Sequence, residues 1–510
     1  MKPLYYSIIG LILFCSCKQT NATLEQALRM AGENRQELEQ VLNHYSQRPA
    51  DSLKLQAARF LIENMPGHYT LEGDRINECR EKIQADTTTT YFTRKILEIS
   101  ITFMPQIQKA SLRLEDVQHI KADFLIRHID RSFEKLEQLS WLHDLPFDLF
   151  LEYILPYRVA HERLDLWIDS LEISPKEIKT LKHADNIRFS SEGVWNTPVL
   201  SNSSFYVPSN LMNELFGENI YQDCKFGAIK NCFHSLAAAF PESLECIPFY
   251  ANRNGYHYWN AIRSSESKIT TINGALERKA SKIYRKTFSR QSTVIPEAGE
   301  YIPEFFQDPF LKDVSNEYMY TANVYVKSLA HLKTHPRYAY LCVFNNLRWQ
   351  PVAISDLSQT GVEFKDMGKN LIYLPVYYQE EKMELLHYPF ILNQKGEISY
   401  LVPDTTSMQK LHLTRKYPLN KTLCSYNEQL ERIIIELSAL PDFSHPDTLH
   451  LTSNQACTCA EHFGNSNRKY RYCRITGNIQ YAEMSFIDSL GLPSRHKLTS
   501  RLLPDLTTTH

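Results

Sequence analysis

The sequence predicts a multidomain α+β protein with a helical N-terminal region, a mixed core and β-rich C-terminal domains. The chain has 510 residues, more than one hydrophobic core usually accommodates, so three or four domains are expected. Apolar residues recur at helical spacing through the first third, whereas residues 300–500 contain mostly short strand-like runs. Between these parts, one helical pattern starting at Asp223 is followed by three strand patterns, which is an α+β arrangement.

The composition excludes one class of partner. Hydrophobic residues make up 43% of the chain and charged residues 22%, and the net charge is −2. Binding to nucleic acid needs a dense basic surface, so no nucleic-acid partner is expected. The cysteines and histidines show no zinc-ligand spacing, and no metal or cofactor is implied. The aromatic content of 12% suits β-rich domains and also sugar-facing surfaces.

Residues 1–17 have the organisation of an export signal. Lys2 supplies a positive charge, and residues 5–14 form an apolar run too short to span a bilayer comfortably. The small residue Ser16 before Cys17 resembles the lipobox of bacterial lipoproteins. This resemblance implies lipidation of Cys17 and an outer-membrane lipoprotein that contacts the membrane through its lipid anchor. A plain secretory signal is the alternative, and no later stretch predicts a transmembrane helix.

Residues 18–185 are predicted to form a helical region. Helical spacing is clearest near residues 24–42, 57–64, 92–107 and 122–139. Residues 185–217 are rich in Ser, Asn and Pro, which predicts a long loop before the core.

The predicted core domain, residues 186–290, contains one helix and an antiparallel sheet. Asp223 is positioned to cap the helix and Pro241 to end it. Spacings of 3, 4, 3 and 4 positions define one apolar helix face, made of Phe226, Ile229, Phe233, Leu236 and Phe240. Strands are predicted at residues 244–250, 256–262 and 268–273, with turns at 252–255 and 264–266.

Basic residues crowd the end of the core domain, and they are predicted to form a solvated face or a linker. These residues are Arg278, Lys279, Lys282, Arg285, Lys286 and Arg290. Beyond them, residues 291–405 are predicted to form a β-rich domain and residues 406–510 a β-sandwich. The clearest strands in this part are residues 338–344, 371–378 and 398–402.

The core contains the residue types that thiol catalysis requires. Cysteine attacks as a thiolate, and a helix N-terminus lowers its pKa, so Cys224 is the predicted nucleophile. His257, held on a strand, is the predicted base. If the second and third strands pair about Ser265, Asn273 lies opposite His257 and can orient its imidazole. Cys-His-Asn is a working variant of the catalytic triad.

Several motifs resemble the transglutaminase-like superfamily, in particular a group of Bacteroides-type lipoproteins. In the core they are Asp223-Cys224, Phe240-Pro241, the run from Ile247 to Gly255, and His257-x-Trp259-Asn260. Outside the core, residues 61–66, 152–158, 364–369 and 373–378 resemble segments of the same group. The resemblance implies a papain-like thiol fold with Cys224 as nucleophile and His257 as base, acting on a peptide or glycopeptide.

Two features depart from the pattern of that superfamily. The helix starts with Gln222-Asp223-Cys224 instead of Gly-small-Cys, and no Asp lies between His257 and Tyr284. Asn273 is therefore the candidate third residue, with Glu266 and Glu277 as alternatives.

The C-terminal region carries a second, shorter resemblance. Residues 470–475 and 482–486 resemble the end of galactose-binding-like (discoidin) β-sandwiches, which implies glycan binding through loops. Strands of a sandwich that binds nothing are the alternative. Arg471 and Arg474 are expected to pair with carboxylates.

Two functions from different classes follow. The first is a surface-anchored thiol hydrolase that cleaves amide bonds through an acyl-enzyme at Cys224, with backbone N–H groups as the oxyanion hole. The second is a catalytically inactive lipoprotein that keeps the transglutaminase-like core as a scaffold and binds a glycan or peptide.

Overall fold

The structure, a computed structural model, is a mixture of helices and sheets, which confirms the α+β class. It describes residues 23–78, 112–139, 142–162, 164, 224–251, 255–263, 269–271, 280–291, 294, 296–297, 299–328, 336–345, 348–402, 414–415, 434–450, 470–476 and 484–485. Cys17 and the predicted helix at 92–107 lie outside these residues, as does the predicted loop at 185–217. In the part of the chain that is described, no helix combines the length and apolarity needed to cross a membrane.

The helices lie mainly in the N-terminal third and pack around one apolar core. They are α1 (residues 23–30), α2 (Arg35–Ser46), α3 (Ser52–Asn64), α4 (Asp116–His119), α5 (Ala122–Gln138), α6 (Phe147–Tyr153), α7 (Cys224–Ala237), α8 (Glu304–Gln307) and α9 (Ser315–Tyr318), with 3₁₀ turns at Gly32–Asn34 and Pro49–Asp51. Leu38, Leu61, Leu125 and Phe150 are fully buried in this core. The helices predicted at 57–64 and 122–139 are confirmed by α3 and α5.

The strands dominate the remainder of the described chain. They are β1 (Tyr69–Glu72), β2 (Leu112–Glu115), β3 (Glu242–Ile247), β4 (His257–Arg263), β5 (Ile269–Thr271), β6 (Tyr284–Lys286), β7 (Leu311–Asp313), β8 (Thr321–Lys327), β9 (Tyr338–Asn345), β10 (Arg348–Asp356), β11 (Gly361–Gly368), β12 (Leu371–Gln379), β13 (Lys382–Leu385), β14 (Phe390–Leu392), β15 (Ile398–Tyr400), β16 (Thr414–Arg415), β17 (Ile434–Ser438), β18 (Asp447–His450), β19 (Tyr472–Thr476) and β20 (Met484–Ser485). The antiparallel pair β1–β2 inserts a small sheet into the helical region, where the sequence predicts only helices.

The central sheet has the strand order β5-β4-β3-β6-β7, and all of its described pairs are antiparallel. It includes the three strands predicted after α7. Its edge strand β7 comes from beyond residue 290, so the sheet continues past the boundary predicted for the core domain. The β-rich region adds a sheet of order β10-β9-β12-β14-β15, with β13 on β12, and the separate pair β11–β8. Strands β9 and β12 confirm the strands predicted at residues 338–344 and 371–378. Strand β15 confirms the one predicted at 398–402 but ends two residues earlier.

The C-terminal part contains the sheet β18-β17-β19 and the pair β16–β20. The Arg474 guanidinium on β19 binds the Glu436 carboxylate on β17, with Nη2 2.9 Å from Oε1. This contact confirms the expected pairing of Arg474 with a carboxylate.

The helical region holds the segment that follows β6 by a set of hydrogen bonds. The Glu152 carboxylate accepts from the backbone N–H of Phe288 (2.6 Å) and of Ser289 (3.2 Å), and Asn64 Oδ1 accepts from Arg290 N (2.8 Å). His68 is stacked between Phe288 and Phe310, and burial there holds the pKa of its imidazole well below the ordinary value. The neutral ring therefore donates from Nε2 to the Phe288 carbonyl, 3.1 Å away.

The prediction that the basic run forms a solvated face is wrong for Lys282, Arg285 and Lys286. Arg285 is fully buried and binds Glu245 and Glu317, with Nε 2.7 Å from Glu245 Oε1 and Nη2 2.6 Å from Glu317 Oε2. Lys282 is 3% exposed and binds Asp313. Lys286 likewise pairs with the Asp308 carboxylate. Each partner lies far away in sequence, so the run reads as basic although its charges are balanced in the fold. Arg278 and Lys279 lie outside the described residues.

Gly368, at the end of β11, allows the β-rich region to approach the core. Its N–H donates to the Ser281 carbonyl, 3.0 Å away. A Cβ at this position would lie well inside van der Waals contact with the Ala280 carbonyl oxygen and 3.2 Å from Ser281 Cα. Only a residue without a side chain fits between these two backbone segments.

Candidate functional site around Cys224 and His257

Helix α7 presents Cys224 in its first turn, as predicted. The thiol is half-buried, and its Sγ lies 4.0 Å from the carbonyl oxygen of Tyr256, just before β4. The helix buries Ile229, Phe233 and Leu236 of the predicted apolar face, whereas Phe240 lies beyond the end of the helix and is half-buried. It ends at Ala237, four residues before Pro241.

Asn260 joins α7 to one face of the central sheet. Its buried side chain donates from Nδ2 to the Ala228 carbonyl (2.9 Å) and to Cys232 Sγ (3.2 Å), both on α7. Its Oδ1 accepts from Asn231 Nδ2 at 3.0 Å. Because side chains alternate along a strand, Tyr258 lies on the same face as Asn260. The ammonium of Lys225 lies over the Tyr258 ring, 5.5 Å from its centroid. This surface is called the helix face below.

His257 lies on the opposite face of the same strand. Its imidazole stacks on the Trp259 ring at 5.7 Å and on the Tyr250 ring at 6.3 Å between centroids. Trp259 and Tyr250 are 2% exposed and pack with Ile247 in a cluster separate from that of α7. We call this surface the Trp259 face.

Cys224 and His257 both lie near the start of β4, where the thiol approaches the Tyr256 carbonyl oxygen and the imidazole stacks on the Trp259 ring. The thiol is at the start of the helix that covers the helix face, whereas the imidazole belongs to the Trp259 face. A base that deprotonates a thiol must come within hydrogen-bond reach of the sulfur, directly or through one water molecule.

The predicted register of the third strand is also wrong. Strand β4 pairs with β5 through Ala261 opposite Thr271 and Arg263 opposite Ile269, so the pairing is centred on Glu266 and not on Ser265. Asn273 itself lies outside the described residues, as do the alternative third residues Glu266 and Glu277.

A residue that the sequence did not indicate, Asn345 on β9, fixes the loop before β4. Its buried amide donates from Nδ2 to the carbonyl oxygens of Tyr250 and Gly255, both at 2.9 Å. Its Oδ1 accepts from Gly255 N at 3.2 Å. Gly255 has φ +85°, a conformation that favours glycine. Asn345 and Gly255 are 90 positions apart in sequence, so no local pattern could reveal the contact.

Replacing Asn345 with alanine is expected to lower the free energy of unfolding by about 1–3 kcal/mol, because buried backbone groups lose their partners. It should also raise the hydrogen-exchange rate of the Gly255 amide. Denaturant unfolding and exchange measured by mass spectrometry check both. Asn323→Ala is the control, since exposed Asn323 accepts one hydrogen bond, from Asp366 N. An Asn345 variant no less stable than this control would contradict the role of the amide.

Cys246 and Cys342 are buried, whereas Cys232 is half-buried like Cys224. Burial raises the pKa of Cys246 to about 12 and raises the pKa of the Cys232 and Cys342 thiols well above the ordinary value. These three thiols are therefore poor nucleophiles near neutral pH. Among the residues that the structure describes, no group of three or more His, Cys, Asp or Glu side chains could hold a metal ion.

Comparison with protein-family models, curated proteins and solved structures finds no match to this chain.

Proposed function

We propose that this chain is a catalytically inactive member of the transglutaminase-like class, and that it acts as a binding lipoprotein. The stacking of the His257 imidazole on Trp259, on the face of β4 opposite to the Asn260 side chain that binds α7, carries the proposal. A helix packed on an antiparallel sheet, with cysteine in the first helical turn, supports the resemblance to that class.

The proposed partner is a glycan or peptide at the cell envelope, with the chain tethered through a lipid on Cys17. Exposed tyrosines support a contact surface in the β-rich region. Tyr320, which directly precedes β8, is 91% exposed, and Tyr325, on the outward face of β8, is 52% exposed. Tyrosine suits such contacts because its ring is apolar and its hydroxyl forms hydrogen bonds.

The alkylation rate of Cys224, measured between pH 5 and 10, tests the absence of a base. We expect the pH profile to be the same in the wild-type chain and in His257→Ala, because the imidazole stacks on the Trp259 face of β4. Cys224→Ser provides the background rate of the remaining thiols. His119→Ala, which removes an exposed histidine on α4, is the matched control.

The two outcomes separate the two candidate functions. An unchanged profile supports the inactive scaffold. Reactivity that persists well below pH 8 and disappears in His257→Ala but not in His119→Ala would overturn the proposal and restore the thiol hydrolase.

A further inference from the structure

Helix α7 ends in a strained turn that packs into the helical region. The backbone N–H of Phe240 donates to the Ser235 carbonyl at 2.7 Å, the closing bond of a Schellman motif. Ala239 takes the left-handed position of this motif, with φ +53°, where glycine is usual. It is fully buried in the apolar core of the helical region. Lys135 on α5 donates from Nζ to the Ala237 carbonyl, 3.0 Å away, so the helical region holds this end of α7.

The central sheet holds the same turn through Glu242, the first residue of β3. The carboxyl group of Glu242 is half-buried, and its Oε2 accepts a hydrogen bond from the Ser235 hydroxyl in the last turn of α7. Glu242 lies on the same face of β3 as Leu244, which packs against α7. The end of α7 is therefore attached to two parts of the fold, and one of the two attachments depends on a carboxyl group.

No cation forms an ion pair with Glu242 within the part of the chain that is described. On α7 the titratable group near it is the Cys232 thiol, whose pKa the charge of Glu242 helps to raise. Strand β4 places the uncharged Asn260 and Ile262 beside it, and Lys135 on α5 is bound to a carbonyl. The negative end of the α7 dipole also lies at this turn. These surroundings favour the neutral acid, and burial raises the pKa of Glu242 to about 7.

We infer that Glu242 and Ser235 form a proton-sensitive latch, in which the neutral acid holds the end of α7 on the sheet and ionisation lets this turn open. A free glutamate ionises near pH 4.5. Because the pKa of docked Glu242 lies above that value, the stabilisation by the latch is complete below about pH 4.5 and is lost as the pH rises through about 7. The latch acts on the docking of α7 whether or not Cys224 reacts, so it does not depend on the proposed function.

Amide hydrogen exchange in the last turn of α7, measured between pH 5.5 and 8 in the full chain, tests the latch. After correction for intrinsic exchange, the opening constant should rise by about tenfold or more across this range in the wild-type chain. In Glu242→Gln, whose side chain stays neutral, it should not change with pH. Glu63→Gln is the matched control, because burial raises the pKa of Glu63 on α3 to about 7 as well. This control should keep the wild-type dependence.

Two results of the exchange experiment would overturn the latch: a wild-type opening constant that does not change with pH, or a pH dependence that survives in Glu242→Gln. Carbon-13 NMR titration of the assigned Glu242 carboxyl in the wild-type chain gives a second readout, which decides the matter if Glu242→Gln does not fold. We expect a midpoint near pH 7, and a midpoint near the ordinary value of 4.5 would overturn the latch.

Discussion

Replacing Arg158 with methionine is expected to lower the free energy of unfolding by about 3–5 kcal/mol. The guanidinium is buried and binds both carboxylate oxygens of Asp116 at 2.6 Å. It also donates to Thr70 Oγ1 at 3.0 Å and to the Glu162 carbonyl at 2.9 Å. Methionine fills much of the volume but leaves the Asp116 carboxylate buried without its cation. Denaturant unfolding followed by circular dichroism measures the loss.

Two further variants establish the cause of this loss. Adding Asp116→Asn to Arg158→Met should recover part of the stability, because the uncompensated charge is removed. Arg35→Met is the surface control. Arg35 binds Glu39 at 2.7 Å and Glu25 at 3.0 Å, but its side chain is 37% exposed, so we expect a much smaller loss than for Arg158→Met. Equal losses in Arg158→Met and Arg35→Met would show that the buried ion pair does not stabilise the helical region.

Replacing Gly368 with alanine is expected to cost about 3 kcal/mol or more, because the added methyl group collides with the backbone of Ala280 and Ser281. Neither backbone segment can move cheaply. The Gly368 N–H binds the Ser281 carbonyl, and the Tyr373 hydroxyl donates to the Gly368 carbonyl at 2.8 Å. The thermal unfolding midpoint, together with hydrogen exchange in residues 280–291, measures whether the β-rich region separates from the core.

Gly299→Ala is the control for the collision. Gly299 has φ +82° and no atom within 4 Å of the added Cβ, so alanine there carries only the conformational cost of about 1–2 kcal/mol. If Gly368→Ala were as stable as wild type, the close approach of the β-rich region to residues 280–281 would be incorrect.

The sequence predicted the elements of the core well and their mutual arrangement poorly. The spacing from Phe226 to Leu236 is a local signal, and α7 begins at Cys224 as expected. The face that α7 covers cannot be predicted in this way, because β4 is buried on both faces: Asn260 on the helix face and Trp259 on the other are 3% and 2% exposed. Without an alternation of polar and apolar residues, the strand pattern does not indicate which side meets the helix.

The burial of charged side chains could not be predicted from the sequence for a related reason. Arg285 was expected in solvent because its neighbours in sequence are basic, yet Glu245 and Glu317 approach it from other strands and helices. Several segments that resemble the transglutaminase-like superfamily contain residues that make such long-range contacts. Asn64 and Glu152 bind the segment after β6, and Gly368 meets residue 281. In the structure, these motif residues join parts of the fold to one another, away from Cys224.

The pH titration of the His257 imidazole tests most directly whether the central sheet separates it from Cys224. The ring signal can be followed by NMR in the wild-type chain and in Cys224→Ser, and His257→Ala assigns it. If the two groups lie on opposite faces, the titration midpoint of His257 is the same with and without the thiol. A midpoint that falls by about one unit or more in Cys224→Ser would show that a thiolate stabilises the imidazolium, and it would contradict the inactive arrangement.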